Sequence, residues 1–132
     1  MTVFGDVPRL IANTKGFAVS NSLLCGIIPE SSKCPSKELV CRWYNSLTLL
    51  LIEMYIHSLG GGTLVLIPGE TDKMQIVSEF PKNAVDKTFN LMNSCMIGNG
   101  LSATYLLGDE IVLKEIYHLS DADMVAIRKS LD

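Results

Sequence analysis

Apolar residues recur every three to four positions through residues 36–59, which is the spacing of one face of an α-helix. Ser36 is placed to cap the start of this helix, and the glycines that follow Leu59 are placed to end it. The pattern therefore predicts one helix of about six turns. Its second half is apolar on nearly every side, even where solvent is expected, at Leu49, Ile52 and Ile56. Such a helix is expected to be buried in the molecule or under a second subunit.

Shorter apolar runs predict strands. Residues 63–67 are continuously apolar, which is typical of a strand covered on both faces, and residues 74–80 alternate between two faces. The segment 68–72 between them has the composition of a hairpin loop. Further strands are predicted within residues 17–28 and at residues 124–127.

Two more helices are predicted in the second half of the chain. An apolar stripe over residues 84–96 leads to Gly98-Asn99-Gly100, a turn able to take positive φ. A last helix is predicted to start at Asp109 as its N-cap. The order of elements predicts one α/β domain over residues 1–132, a mixed β-sheet with packed helices, including one long buried central helix. The abrupt end of the chain favours a piece of a longer protein.

Charge and cysteine usage narrow the function. The 11 Lys and Arg against 14 Asp and Glu give a net charge of −3 without a basic run, which argues against nucleic acid as a partner and leaves a small anionic ligand open. The four cysteines lack metal-binding spacing, and no secretion signal is present, so reduced thiols and a cytoplasmic location are expected. Glu53 interrupts the most apolar stretch, so membrane insertion is not expected. No metal and no cofactor are predicted.

The glycines of the segment 60–63 could be mistaken for a phosphate loop. A phosphate loop places its glycines before the N-terminus of a helix, whereas these follow a predicted C-terminus, the wrong end of the helix dipole. The favoured interpretation is helix termination with close backbone approach at the start of a strand. A glycine-lined pocket wall is the alternative.

Several polar residues remain as candidates for binding a ligand. His57 and His118 each lie near a predicted helix C-terminus, where a capping or surface role is favoured over catalysis or metal binding. Asp123 opens a predicted buried strand, and Asn99 could face a ligand from its turn. The candidate ligand-binding residues are His57, Gly60, Gly61, Gly62, Thr63, Asn99 and Asp123. No catalytic residue is assigned.

Two segments carry a family resemblance. In residues 57–68 a histidine precedes glycines and a strand that ends at Pro68, and in residues 116–127 a helix leads through an Asp-Ala-Asp step into an apolar run. Both are similar to the sensor-type domains found N-terminal to bacterial diadenylate cyclase modules. The resemblance implies a regulatory or oligomer-forming domain of cyclic-dinucleotide (c-di-AMP) signalling, with an adjoining catalytic module.

The leading hypothesis is therefore a non-enzymatic sensor domain that binds a small molecule or nucleotide, or its own copy as a homo-oligomer. A second hypothesis is a small enzyme acting on a nucleotide or acyl substrate, which would use Asp123 and His57 or His118 with Asn99. A third is a protein–protein interaction module whose apolar helix face, at Leu49, Ile52 and Ile56, docks a partner.

Overall fold

The fold is mostly helical rather than built on a sheet. The computed structural model describes residues 2–4, 7–58 and 64–131. Within them, β-structure is limited to three short strands: β1 (Thr2–Phe4), β2 (His57–Ser58) and β3 (Leu64–Leu66). Strand β3 lies between the other two and pairs antiparallel with both. The predicted α/β fold, a mixed sheet with helices packed on it, is wrong, because strands of two or three residues offer too little surface for that packing.

The helices account for most of the remaining ordered backbone. They are α1 (Ser36–Trp43), α2 (Ser46–Tyr55), α3 (Pro68–Thr71), α4 (Val85–Asn99), α5 (Leu101–Gly108) and α6 (Asp121–Leu131), with a 3₁₀ turn at Lys82–Ala84 and a π-helical segment at Asp109–Ile116. The π-helical segment continues α5 directly, so the prediction of Asp109 as an N-cap is wrong. Across the described ranges, no helix combines the length and apolar character that a bilayer crossing requires.

The predicted six-turn helix is two helices, α1 and α2, that are separated at Tyr44 and Asn45. Tyr44 leaves the helical region (φ −82°, ψ 80°), and Asn45 is extended. The side-chain oxygen of Asn45 accepts a hydrogen bond from the Thr48 amide at 2.8 Å, which caps α2. The apolar spacing continues across this break, so periodicity alone predicts one uninterrupted helix.

The other predicted strands and the hairpin loop are also wrong. Residues 17–28 are irregular, and residues 74–80 pair with no strand in the described part of the chain. Pro68, predicted in the hairpin loop, opens α3, where its missing N–H is tolerated. Residues 124–127, predicted as a strand, lie inside α6.

The core forms where α1 and α2 pack with α4, α5 and the π-helical segment. Its buried members include Val40, Cys41, Trp43, Tyr44, Ile52, Met92, Tyr105, Val112 and Leu113. Ile52 is fully buried, and Leu49 and Ile56 are partly buried against the core, so most of the face predicted as a docking surface is covered. The side chain that α2 exposes most is Met54, at 70%.

Candidate functional site

The predicted ligand-binding residues are spread over several elements. Four of them lie outside the described residues: Gly60, Gly61, Gly62 and Thr63. His57 is the first residue of β2. Asn99 is exposed at the last position of α4, and Asp123 is exposed in the first turn of α6. Neither Asn99 nor Asp123 lines the groove described below, and their role in ligand binding stays a prediction.

Asp123 has a clear structural part in starting α6. Its carboxylate accepts hydrogen bonds from the Ser120 amide at 2.9 Å and the Ser120 hydroxyl at 2.6 Å, and its own amide donates to that hydroxyl oxygen at 3.2 Å. The hydrogen bond from the Ser120 hydroxyl, and then that from the amide, lowers the pKa of Asp123. This reciprocal pair is a capping box, a start signal for a helix where a strand was predicted.

His118 ends the preceding helix rather than forming a site. It adopts φ 56°, and the Leu119 amide donates to the Leu113 carbonyl at 2.9 Å across it. A left-handed residue commonly ends a helix, although glycine usually takes that position, and here the closing bond reaches back six positions, one more than in a Schellman motif.

A buried polar junction that the sequence reading missed joins α2 to the π-helical segment. The Asp109 carboxylate is fully buried and accepts hydrogen bonds from the Ser46 amide at 2.6 Å and the Ser46 hydroxyl at 2.7 Å. Arg128 of α6 donates to the same carboxylate from Nη2 at 3.0 Å. The negative charge therefore lies at the N-terminus of α2, where the helix dipole and a free amide favour it. Because the carboxylate oxygens already accept hydrogen bonds from Ser46 and Arg128, the role of Asp109 is structural.

Lys37, Arg42 and Lys82 form ion pairs where α1 lies beside the start of α4, and the backbone of Lys33 contacts Lys82. We call these four residues the basic corner. The Lys82 ammonium donates to the Lys33 carbonyl at 2.7 Å and forms an ion pair with Glu38, which also pairs with Arg42. The Lys37 ammonium lies 2.7 Å from an Asp86 carboxylate oxygen. These contacts join residues 33–42 to residues 82–86, and two of them span 49 positions of the sequence.

Glu38 holds the basic corner together. Burial by itself would raise the pKa of Glu38, but the hydrogen bonds from Lys82 and Arg42 outweigh it, and the pKa lies below its ordinary value. The charged carboxylate therefore fixes two cations in place. Four cations against the two carboxylates of Glu38 and Asp86 leave a positive surplus here, although the whole chain carries −3.

A groove of about 130 Å³ opens beside the basic corner. Its walls are the segment Arg9–Ala12 and one face of α4, and its floor is formed by Val40, Tyr44 and Met92. The lining residues are Arg9, Leu10, Ile11, Ala12, Val40, Tyr44, Phe89, Met92, Asn93 and Met96. The Lys37 ammonium lies 5.6 Å from the centroid of the Phe89 ring, so a cation of the corner borders the groove.

Two tyrosines fix the N-terminal wall of the groove. The Tyr44 hydroxyl donates to the Leu10 carbonyl at 2.6 Å and accepts from the Leu10 amide at 3.0 Å. The Tyr105 hydroxyl donates to the Pro8 carbonyl at 3.1 Å, and the two rings meet edge to face with centroids 5.2 Å apart. Burial raises the pKa of both phenols, which keeps them neutral donors. The wall is therefore pinned to the helical core.

The described side chains do not assemble a metal centre. In the described ranges, no three His, Cys, Asp or Glu side chains lie close enough together to hold a metal ion. What the surface does present is a cluster of cations beside an apolar groove, an arrangement suited to an anion that carries an apolar or planar body.

Residues 1–113 match the family model described as the C-terminal domain of the type II methyltransferase M.Eco57I. Because the match covers most of the 132 residues, the chain belongs to that family. No curated protein and no solved structure matches the chain.

Membership of this family overturns the functional hypotheses drawn from the sequence. The resemblance to sensor-type domains of diadenylate cyclases is wrong, and so is the link to cyclic-dinucleotide signalling. The small-enzyme and interaction-module alternatives do not match the family either. The exclusion of nucleic acid loses its support as well, since it rested on net charge and on the absence of a basic run, and the fold gathers cations that no local run reveals.

Proposed function

We propose that this chain is the non-catalytic C-terminal part of a type II DNA methyltransferase and helps to hold DNA for an adjoining catalytic module in the cytoplasm. The observation that carries the proposal is the family match over residues 1–113. The basic corner supplies the surface. Cations that replace condensed counterions on DNA phosphates provide sequence-independent affinity, whatever the net charge of the rest of the protein.

The geometry of the corner suits this task. Lys37 and Lys82 keep 42% and 63% of their side chains exposed, so their ammonium groups can still reach a phosphate. Arg42 is more enclosed, at 17%, and serves mainly to hold Glu38 in place. Because Glu38 is shared by Arg42 and Lys82, one carboxylate balances two cations and the surplus faces solvent.

The test is DNA binding by the 132-residue chain, measured by fluorescence anisotropy with a short duplex at several salt concentrations. Binding should weaken with salt, with a slope of about −0.9 in log K against log salt for each phosphate contacted. Replacing both Lys33 and Lys37 by alanine should weaken binding and make that slope shallower by about one unit per lost contact.

The matched control replaces Lys73 and Lys129, two exposed lysines outside the corner. This variant has the same change in net charge and should retain most of the affinity and the original slope. A chain that binds no duplex at low salt, or equal losses in both double variants, would contradict the proposal.

A further inference from the structure

We propose that the groove between Arg9–Ala12 and α4 receives one unstacked nucleobase of a DNA strand whose phosphates lie on the basic corner. This deepens the proposed function and rests on it. The occupant is set by two properties of the site: an apolar recess with a half-buried aromatic ring, and cations on both sides of it.

The size of the groove limits its occupant to one ring system. A cavity of about 150 Å³ with apolar walls holds a benzene molecule, and this groove measures about 130 Å³. A peptide helix or a base pair is too large for that space. The floor is closely packed, because Val40, Tyr44 and Met92 are each at most 6% exposed.

The lining suits a base better than an aliphatic ligand. Phe89 is half-buried, so part of its ring is available for stacking, which is the sequence-tolerant contact that proteins use on unpaired bases. Asn93 lies one turn further along the same face of α4. Its exposed amide makes no hydrogen bond to any described residue, and it offers both a donor and an acceptor to a base edge.

The charges around the groove suit the backbone that carries a base. Arg9 borders the groove from the N-terminal wall, is exposed, and forms no ion pair among the described residues. Lys37 borders it from α1, next to the Phe89 ring. A nucleotide unit has a planar apolar body and an anionic phosphate on each side, so both features of the site are matched by one ligand class.

The experiment compares two DNA probes on the full 132-residue chain: a fully paired duplex, and the same duplex with one unpaired 2-aminopurine. We expect tighter binding to the second probe and a change in 2-aminopurine fluorescence as the base leaves its DNA neighbours for the groove. The variant Phe89→Leu keeps an apolar side chain but removes the ring, and it should lose about tenfold in affinity for the unpaired probe only.

Asn93→Ala is a second test variant, and it should leave the packing of the groove floor intact because Asn93 is exposed. It should also weaken binding of the unpaired probe, whereas Asn90→Ala, an exposed residue of α4 that does not line the groove, should bind both probes normally. Binding of the paired duplex with no preference for the unpaired probe would overturn this inference and leave the proposed function standing. A chain that binds neither probe would overturn both.

Discussion

The carboxylate of Asp109 is a single group on which three parts of the chain depend. It caps the first turn of α2 through Ser46, it belongs to the π-helical segment, and it holds α6 through Arg128. A buried charge is tolerated only while its partners remain, because each was removed from water on folding. Substitution of Asp109 is therefore expected to be strongly destabilising.

Asp109→Ala is expected to lower the free energy of unfolding by about 3–5 kcal/mol, because it strips partners from the buried Ser46 donors and from Arg128. Urea unfolding followed by circular dichroism measures the change. Asp121→Ala is the control, since its carboxylate is 90% exposed in its ion pair with Lys114 and should contribute less than about 1 kcal/mol. Equal losses in the two variants would contradict the assignment of Asp109.

The lowered pKa of Glu38 predicts how the free energy of unfolding depends on pH. Its folded pKa lies below the ordinary value of 4.5, so its charged form stabilises the fold above that pH, and the contribution is lost as pH falls through the folded pKa. Glu38→Gln should therefore be less stable than the parent chain at pH 7, and the gap should shrink below pH 4.5. Unfolding midpoints from pH 3 to pH 7 would check this, and a gap that stayed constant would count against it.

At the scale of elements, the break between α1 and α2 creates the close packing of the helices around it. The chain at Tyr44 lies so near Gly108 that a Cβ atom added there would be 1.5 Å from the Tyr44 carbonyl oxygen. Two backbones can approach this closely only where one residue lacks a side chain. The C-terminal end of α5 therefore packs directly against the backbone between α1 and α2.

Gly108→Ala is expected to be severely destabilising, by about 4 kcal/mol or more, because the clash is with backbone that cannot move aside cheaply. Gly98→Ala provides the matched control. Its added Cβ would meet nothing within 4 Å, and alanine in α4 should raise stability by about 0.5–1 kcal/mol. Chemical denaturation of both variants tests the pair, and opposite signs are the expected result.

The elements that sequence predicts well are those with local signals. The apolar stripe at residues 84–96 predicts α4, and Gly100 takes the positive φ, 87°, expected of the turn that ends it. The alternation at residues 74–80 predicts a strand that the structure does not form, because the segment has no strand to pair with among the described residues. Instead of a strand, the Tyr117 hydroxyl holds the backbone of Glu79, accepting from its amide and donating to its carbonyl, both at 2.8 Å.

The candidate site is less predictable because its parts meet only after folding. Lys37 and Asp86 are 49 positions apart, and the Ser46 amide finds its acceptor 63 positions away in Asp109. No window of residues contains either contact. The capping pair Ser120 and Asp123, by contrast, is a local signal in the sequence, and in the folded chain it outweighs the apolar run at 124–127.

At the scale of the whole molecule, the charge is unevenly distributed. Four of the 11 cations lie in the basic corner with only two of the 14 acidic residues, so the remainder of the chain is clearly acidic. Such polarity orients a protein on a polyanion, since the acidic remainder is repelled while the corner is attracted. A net charge of −3 is thus compatible with a DNA-facing surface.

Helix α6 lies beyond residue 113, where the family match ends, yet its contacts join it to the matched part of the fold. It packs against α2, buries Met124 to 2% exposure, and supplies Arg128 to Asp109. Removing residues 120–132 would uncover the surface under Met124 and leave Asp109 without its cation. Loss of a buried methionine alone costs about 2–5 kcal/mol.

The shortened chain should consequently melt well below the full chain, since about 1 kcal/mol corresponds to roughly 4 °C for a domain of this size. Differential scanning calorimetry gives the measurement. Arg128→Ala should reproduce part of the loss, and Val125→Ala, whose side chain is 65% exposed, should reproduce almost none of it. A shortened chain that melted at the same temperature as the full chain would contradict this prediction, because α6 would then contribute nothing measurable to stability.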